Sequence, residues 1–410
     1  MSRFRIIAFF LSFVLSIAFG DRDGRSVKNL RVVWSEYPQT EALVIWDGRE
    51  LNEGAMVLYD TVSHGKSYSD YAFKTSLYES GLYLKKVIGA PKGPASSCCD
   101  ESPLFYHHAK LSNLKPGTTY YLAIQVKGET GREFHFKTAP ASGTFKLIYA
   151  GDSRTRVDVV RQMSHQIAQM VEQDESIVAL LHGGDFVGAP NDLGKWEKWL
   201  DAYALTTTES GRLLPLIPIV GNHDKGGAEI FFHAFGDVGG GTGRYVCHLA
   251  PSVRITCLNS MQKAAGEQQE FLQEALKKME ADKVLWRFSA QHYPSYPAVK
   301  NWQYAKREWV PLYEKYNVDL VLESDGHCIK RTVPIRNDKE SPDGVVYLGE
   351  GGFGAPQRDP DPTRWYLQGG FVSKGDHIMM LDISPEAIHY STILSSGKIV
   401  DSAIFKARER

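Results

Sequence analysis

Five short apolar runs in the later part of this 410-residue chain break off in the same way, and no other feature restricts the fold as tightly. Phe145 to Ala150 ends in Gly151-Asp152-Ser153-Arg154, Ile177 to His182 in Gly183-Gly184-Asp185, and Leu216 to Val220 in Gly221-Asn222-His223-Asp224. Trp286 to Gln291 ends in His292, and Val318 to Leu322 leads to Ser324-Asp325-Gly326-His327. Runs this short and this apolar read as buried strands. One strand ending in Asn or Asp beside glycine is ordinary turn chemistry, because those side chains bond their own backbone. Five in succession are not. They line one edge of a sheet with carboxylates, a carboxamide and imidazoles, and open α/β sheets collect their ligands at that edge.

Helical spacing over Val157 to Gln173, Lys195 to Tyr203, Glu267 to Met279 and Lys306 to Tyr316 separates the runs. Arg244 to Leu249 and Val253 to Leu258, joined by Ala250-Pro251-Ser252, read as a hairpin, and the tail (Gly344 to Leu348, then His377 to Phe405) returns to strands. Strands alternating with helices call for a layered α/β domain over 142–410. The pattern ahead of it is different. Ala42 to Trp46, Met56 to Tyr59, Leu82 to Ile88, Phe105 to Leu111, Thr119 to Val126 and Glu133 to Thr138 alternate with turns and show no helical period, which predicts an all-β sandwich over 21–141. Leu111 to Tyr120, passing through Pro116-Gly117, is similar to the corner of fibronectin type III domains. Ala139 to Gly143 is the linker.

Residues 1–20 read as a leader. Arg3 and Arg5 precede an apolar stretch from Ile6 to Phe19, and Ala18-Phe19-Gly20 supplies small residues for cleavage. That stretch is shorter than the roughly 20 residues a membrane span needs, so the expectation is export by a cleaved signal peptide, to a secreted or periplasmic location, with no stable span. A formal net charge of −1 gives no electrostatic reason to expect nucleic acid as a partner. The five cysteines do not form a disulfide framework. Cys247 and Cys257 on the two arms of the hairpin are either a cross-strand bridge or two buried thiols. A bond between the adjacent Cys98 and Cys99 would be strained.

Carboxylate, carboxamide and imidazole donors suit manganese, iron or zinc. The series Asp152, Gly184-Asp185, Gly221-Asn222-His223-Asp224, His292 and a final Gly-x-His resembles the calcineurin-like metallophosphoesterase superfamily, and within it the purple acid phosphatases. His292-Tyr293-Pro294-Ser295-Tyr296 is similar to their His-x-Pro-x-Tyr. The resemblance implies two metal ions (Fe, Mn or Zn). Asp185 would bridge them, Asp152 and His327 would hold the first, and Asn222, His292 and Asp325 the second. It also implies attack on a phosphate ester by a metal-bound hydroxide, with His223 assisting the leaving group.

Three positions depart from the pattern. Gly188 stands where the purple enzymes have a tyrosine, so no purple band is expected. Arg154 stands where relatives lacking that tyrosine have a histidine, and its guanidinium suits a phosphate clamp. Asp325 replaces a histidine and favours harder ions. The function expected is hydrolysis of phosphate monoesters on phosphorylated small molecules or phosphoproteins. The alternatives are a phosphodiesterase or nucleotidase on the same site, or a catalytically impaired protein that binds through its β-sandwich.

Overall fold

A computed structural model describes residues 27–77, 79–83, 104–225 and 228–409. The leader, Cys98 with Cys99, and Leu82 to Ile88 beyond Tyr83 lie outside the described residues. Two large sheets organise the α/β part. The strands that lead toward the polar edge are β1 (Phe145–Ala150), β2 (Ile177–His182) and β3 (Leu216–Pro218) in one sheet, with β4 (Trp286–Gln291) and β5 (Leu320–Glu323) in the other. β1, β2 and β3 run parallel to one another, and β4 runs parallel to β5. Leu147, Leu181 and Ile217 from the first sheet and Ile255, Phe288 and Leu320 from the second share one continuous core. Helices cover the outer faces, as parallel crossovers require.

The helices form where apolar residues recur at three and four. Val157–Gln173 buries Val160, Met163, Ile167 and Val171 on one stripe. Leu193–Tyr203 is capped by Asp192, which accepts from Lys195 N at 3.2 Å, and it buries Trp196 and Trp199. The segment expected as a helix from Lys306 condenses to Val310–Lys315, with Pro311 in its first turn. Ala228–Phe235 is a further helix, short and rich in apolar side chains, with Glu229 exposed, His233 half-buried and Phe231 and Phe235 fully buried.

The N-terminal β-region is joined to the α/β part through a shared sheet. Lys28–Val33 pairs in parallel with β3 (Val33 opposite Leu216) and antiparallel with Ala42–Gly48, so the first large sheet runs on into the N-terminal strands. The opening strand is hard to see in the sequence because Arg31 interrupts it. Arg31 is buried, pairs with Asp47 at 2.8 Å, and donates from Nε to the carbonyl of Ala234. Asn29 adds bonds to Asp47 and Asp201, both at 2.9 Å. At the Pro116-Gly117 corner, Tyr120 Oη accepts from Lys115 N at 2.9 Å, and Leu114 and Tyr120 are buried.

The hairpin forms as Tyr245–Ala250 and Val253–Cys257, without the disulfide. Register decides this: Cys247 stands opposite Ile255, and Cys257 opposite Tyr245. Both thiols are free and buried, and burial raises their pKa values, so they act as apolar filling.

Candidate metal centre

The ends of the two sheets are stitched together by the groups that make the site. Tyr149 Oη, from β1, donates to the carbonyl of Glu323 at the end of β5 at 2.8 Å. Asp325 N donates to Asp152 Oδ2 at 2.9 Å, and His292 Nδ1 donates to the carbonyl of Gly183 at 2.8 Å. Asp224 is the brace of the third turn: its carboxylate accepts from Gly221 N, Asp185 N and Phe186 N at 2.8, 2.8 and 3.1 Å.

Backbone strain concentrates here. Asp152, Asp185, Asp325 and His327 all have positive φ, at 59°, 60°, 70° and 58°. Such geometry costs about 1 to 3 kcal/mol per residue and persists only where surrounding structure imposes it. Close backbone packing does so. A Cβ on Gly221 would lie 2.2 Å from Asp185 N, and one on Gly351 1.7 Å from Asp152 Oδ2.

Donor atoms of Asp152, Asp185 and His327, all buried, lie within 4.8 Å of one another. His327 Nδ1 donates to the carbonyl of Pro356 at 3.1 Å, which leaves Nε2 with its lone pair. That lone pair faces Asp152 Oδ1 at 3.2 Å, and neither atom has a hydrogen-bond partner. Two buried donor atoms so placed are disposed as two ligands of one cation would be, and with Asp185 alongside these residues fit a metal ion.

Beside this group, His292 Nε2 lies 3.0 Å from Asn222 Oδ1, 3.4 Å from Asp185 Oδ1 and 3.9 Å from Asp325 Oδ1. Burial alone would lower the pKa of this imidazole, but Asp185, Asp152 and Asp325 more than offset that and push it up to about 9. The structure thus brings together every residue expected at the site. Two of them have unexpected partners. Arg154 turns its Nε to Asp185 Oδ2 at 3.2 Å, and Asp325 is ion-paired with Lys300 through both oxygens, at 2.7 and 2.6 Å. Lys300 has no motif around it, and only the folded loop shows its place.

His223 is half-buried. Its backbone N–H donates to Asp185 Oδ1 at 2.8 Å, and its Nδ1 donates to the carbonyl of Gly188 at 3.3 Å, which leaves Nε2 open. Gly188 has little room for a larger residue, since a Cβ there would meet the Arg154 carbonyl at 3.2 Å. His182 sits one layer out. It contacts Ser153 Oγ at 2.9 Å and accepts from Gly184 N at 3.2 Å, and burial pushes its pKa down to about 3, so it braces two of the turns as a neutral ring. A buried group unannounced by any motif lies under the last turn. Lys330 donates to Glu323 Oε2, Glu350 Oε1 and the Tyr296 carbonyl at 2.5, 2.8 and 2.9 Å, and the Glu350 carbonyl accepts from His327 N at 2.7 Å.

A mixed α/β sandwich with acidic and imidazole donors gathered at its strand ends is an arrangement that can hold a metal ion. Comparison with known proteins agrees. The sequence model of the purple acid phosphatase N-terminal domain matches residues 27–138, and that of the calcineurin-like phosphoesterases matches residues 150–328. The chain belongs to the calcineurin-like phosphoesterase superfamily and is purple acid phosphatase-like. An uncharacterised protein of Mycobacterium tuberculosis is 28% identical over 275 residues, covering 56% of this chain and 51% of the relative. Purple acid phosphatase 21 of Arabidopsis thaliana is 27% identical over 309 residues, covering 68% of this chain and 65% of the relative. The chain thus spans about half to two thirds of the length of these relatives. A purple acid phosphatase from yellow lupin (Lupinus luteus) seeds shares the fold with a TM-score of 0.73 at 18% identity, over 93% of this chain and 74% of that one. No helix among the described residues is long and apolar enough to cross a membrane.

Proposed function

We propose that this protein is an exported, metal-dependent hydrolase of phosphate monoesters, acting on a phosphorylated small molecule or phosphoprotein. The observation that carries the reading is the pair of unpartnered donors, Asp152 Oδ1 and His327 Nε2, 3.2 Å apart beside Asp185. Asp152, Asp185 and His327 would hold an ion, with Asn222 and His292 adjoining it. When bound, such an ion supplies the positive charge that polarises a phosphoester and lowers the pKa of water.

The chain's own groups have distinct tasks. His223, fixed through Nδ1 by the Gly188 carbonyl, keeps Nε2 free to exchange a proton with the leaving oxygen. Arg154, on the Asp185 side of the cluster, brings a fixed positive charge to the place where phosphate oxygens gain negative charge. Asp224 and His182 keep the turns aligned, which maintains the reacting geometry. Export rests on the leader alone.

His223→Ala separates proton transfer from metal binding. Hydrolysis of p-nitrophenyl phosphate should fall by about 10²- to 10⁴-fold, with metal content unchanged by elemental analysis. Full activity in this variant would remove His223 from the mechanism. If the wild-type protein cleaves bis-p-nitrophenyl phosphate faster than the monoester, the substrate class shifts to diesters.

A further inference from the structure

We propose that this chain retains a single divalent ion, at Asp152, Asp185 and His327, and that Lys300 and Arg154 are built-in cations standing in for a second. The inference rests on the metal-dependent reading above and departs from the two-ion arrangement that the resemblance implies.

Donors on the two sides of the cluster differ in what already engages them. On the first side, Asp152 Oδ1 and His327 Nε2 are buried and face each other at 3.2 Å, with no Lys or Arg of the described residues ion-paired to either. On the second side the chain supplies a cation of its own. Asp325 has both oxygens on Lys300 Nζ, and Asn222 Oδ1 lies 3.0 Å from His292 Nε2. The carboxylate of Asp185, between the two, accepts from His223 N on one oxygen and faces Arg154 on the other. An ion bound on the second side would have to displace an ammonium from Asp325. A carboxylate buried as deeply as Asp325, with 4% of its side chain exposed, does not give up such a partner freely.

Lys300 is placed there by a clamped loop. The Arg364 guanidinium donates to the carbonyls of Val299 at 3.0 Å and Lys300 at 2.6 Å, and Ala298 N donates to Glu350 Oε1 at 2.7 Å. The ammonium also lies over the rings of Tyr293 and Trp302, 5.7 and 5.6 Å from their centroids. Its entropy is thus largely spent before it meets Asp325.

Charge balance points the same way. Three carboxylates, Asp152, Asp185 and Asp325, face two fixed cations, Arg154 and Lys300. One divalent ion takes the formal charge of the cluster from minus one to plus one, and a second would take it to plus three in a buried site.

Native mass spectrometry with elemental analysis, on the full chain saturated with Mn²⁺ or Zn²⁺ and then desalted, tests this. The expected result is one ion per chain in the wild type and two in Lys300→Met, returning to one in Lys300→Met with Asp325→Asn. Lys300 is partly exposed, and unchanged circular dichroism would verify the fold of these variants. Two ions in the wild type overturn the proposal, as does a Lys300→Met variant that still binds one. No ion in the wild type overturns the proposal together with the metal-dependent reading beneath it.

Discussion

Two buried charged clusters lie on either side of the Ser324-to-Cys328 turn, and they are built to opposite rules. Around Lys330 each ammonium proton has an acceptor (Glu323, Glu350 or the Tyr296 carbonyl), and all three side chains of this ion-paired group are fully buried. Burial lowers the pKa of this lysine, but the two carboxylates outweigh it and hold the charge. Around Asp152 the corresponding accounting fails, because its Oδ1 and His327 Nε2 oppose one another with nothing donated to either. A buried cation with an acceptor for each of its protons holds structure, whereas opposed donor atoms with no cation between them, in a strained turn, are disposed to take a ligand.

Substitutions should separate the two. Asp152→Asn can keep the acceptor for Asp325 N, yet it removes an anionic donor. It should cost several kcal/mol of transition-state stabilisation, more than about a thousandfold in kcat, with retained metal lost and the melting temperature nearly unchanged. An inactive variant that also melts far lower would make Asp152 structural and collapse the distinction. Lys330→Met should do the reverse: two buried carboxylates lose their counter-charge, for a destabilisation of about 3 to 5 kcal/mol in denaturant, while metal present in excess is still bound. If stability is unchanged, the Lys330 cluster is not what holds this turn.

An effect that depends on pH comes from histidines outside both clusters. Burial pushes the pKa of His107 and His377 down to about 4. The unfolded chain takes up these protons near pH 6.5, whereas the folded chain withholds them until about pH 4. Their contribution is therefore intact above about pH 6.5 and lost as pH falls through that window, on the order of 3 kcal/mol for each ring. Melting temperatures between pH 7 and pH 4 check this, with His107→Gln expected to flatten the decline. A curve that is flat in the wild type would mean the two rings are already protonated in the fold.

Much of the α/β half was readable in advance, because its strands announce themselves. β1, β2 and β4 have the bounds that the apolar runs predict, and the Val157–Gln173 helix matches its period residue for residue. Other elements carry no such local signal. Lys28–Val33 contains a buried arginine whose partner, Asp47, lies on another strand, and the Ala228–Phe235 helix, at 8 residues, is too short for its period to stand out. The hairpin shows a finer limit. Its arms were evident, but whether Cys247 and Cys257 meet depends on register, which the fold sets.

The sequence by itself determined which residues could bind a metal, because Asp152, Asp185, Asn222, His292 and His327 each end an apolar run, and a strand's end is a local property. Only the tertiary structure decided what those donors face. Lys300 reaches Asp325 from a loop that Arg364 clamps, and Arg154 turns to Asp185 across two strand ends. Lys28–Val33 likewise reaches β3 to carry one sheet through both parts of the chain. Contacts between residues far apart in sequence cost chain entropy that only the whole core repays, and no local pattern records them.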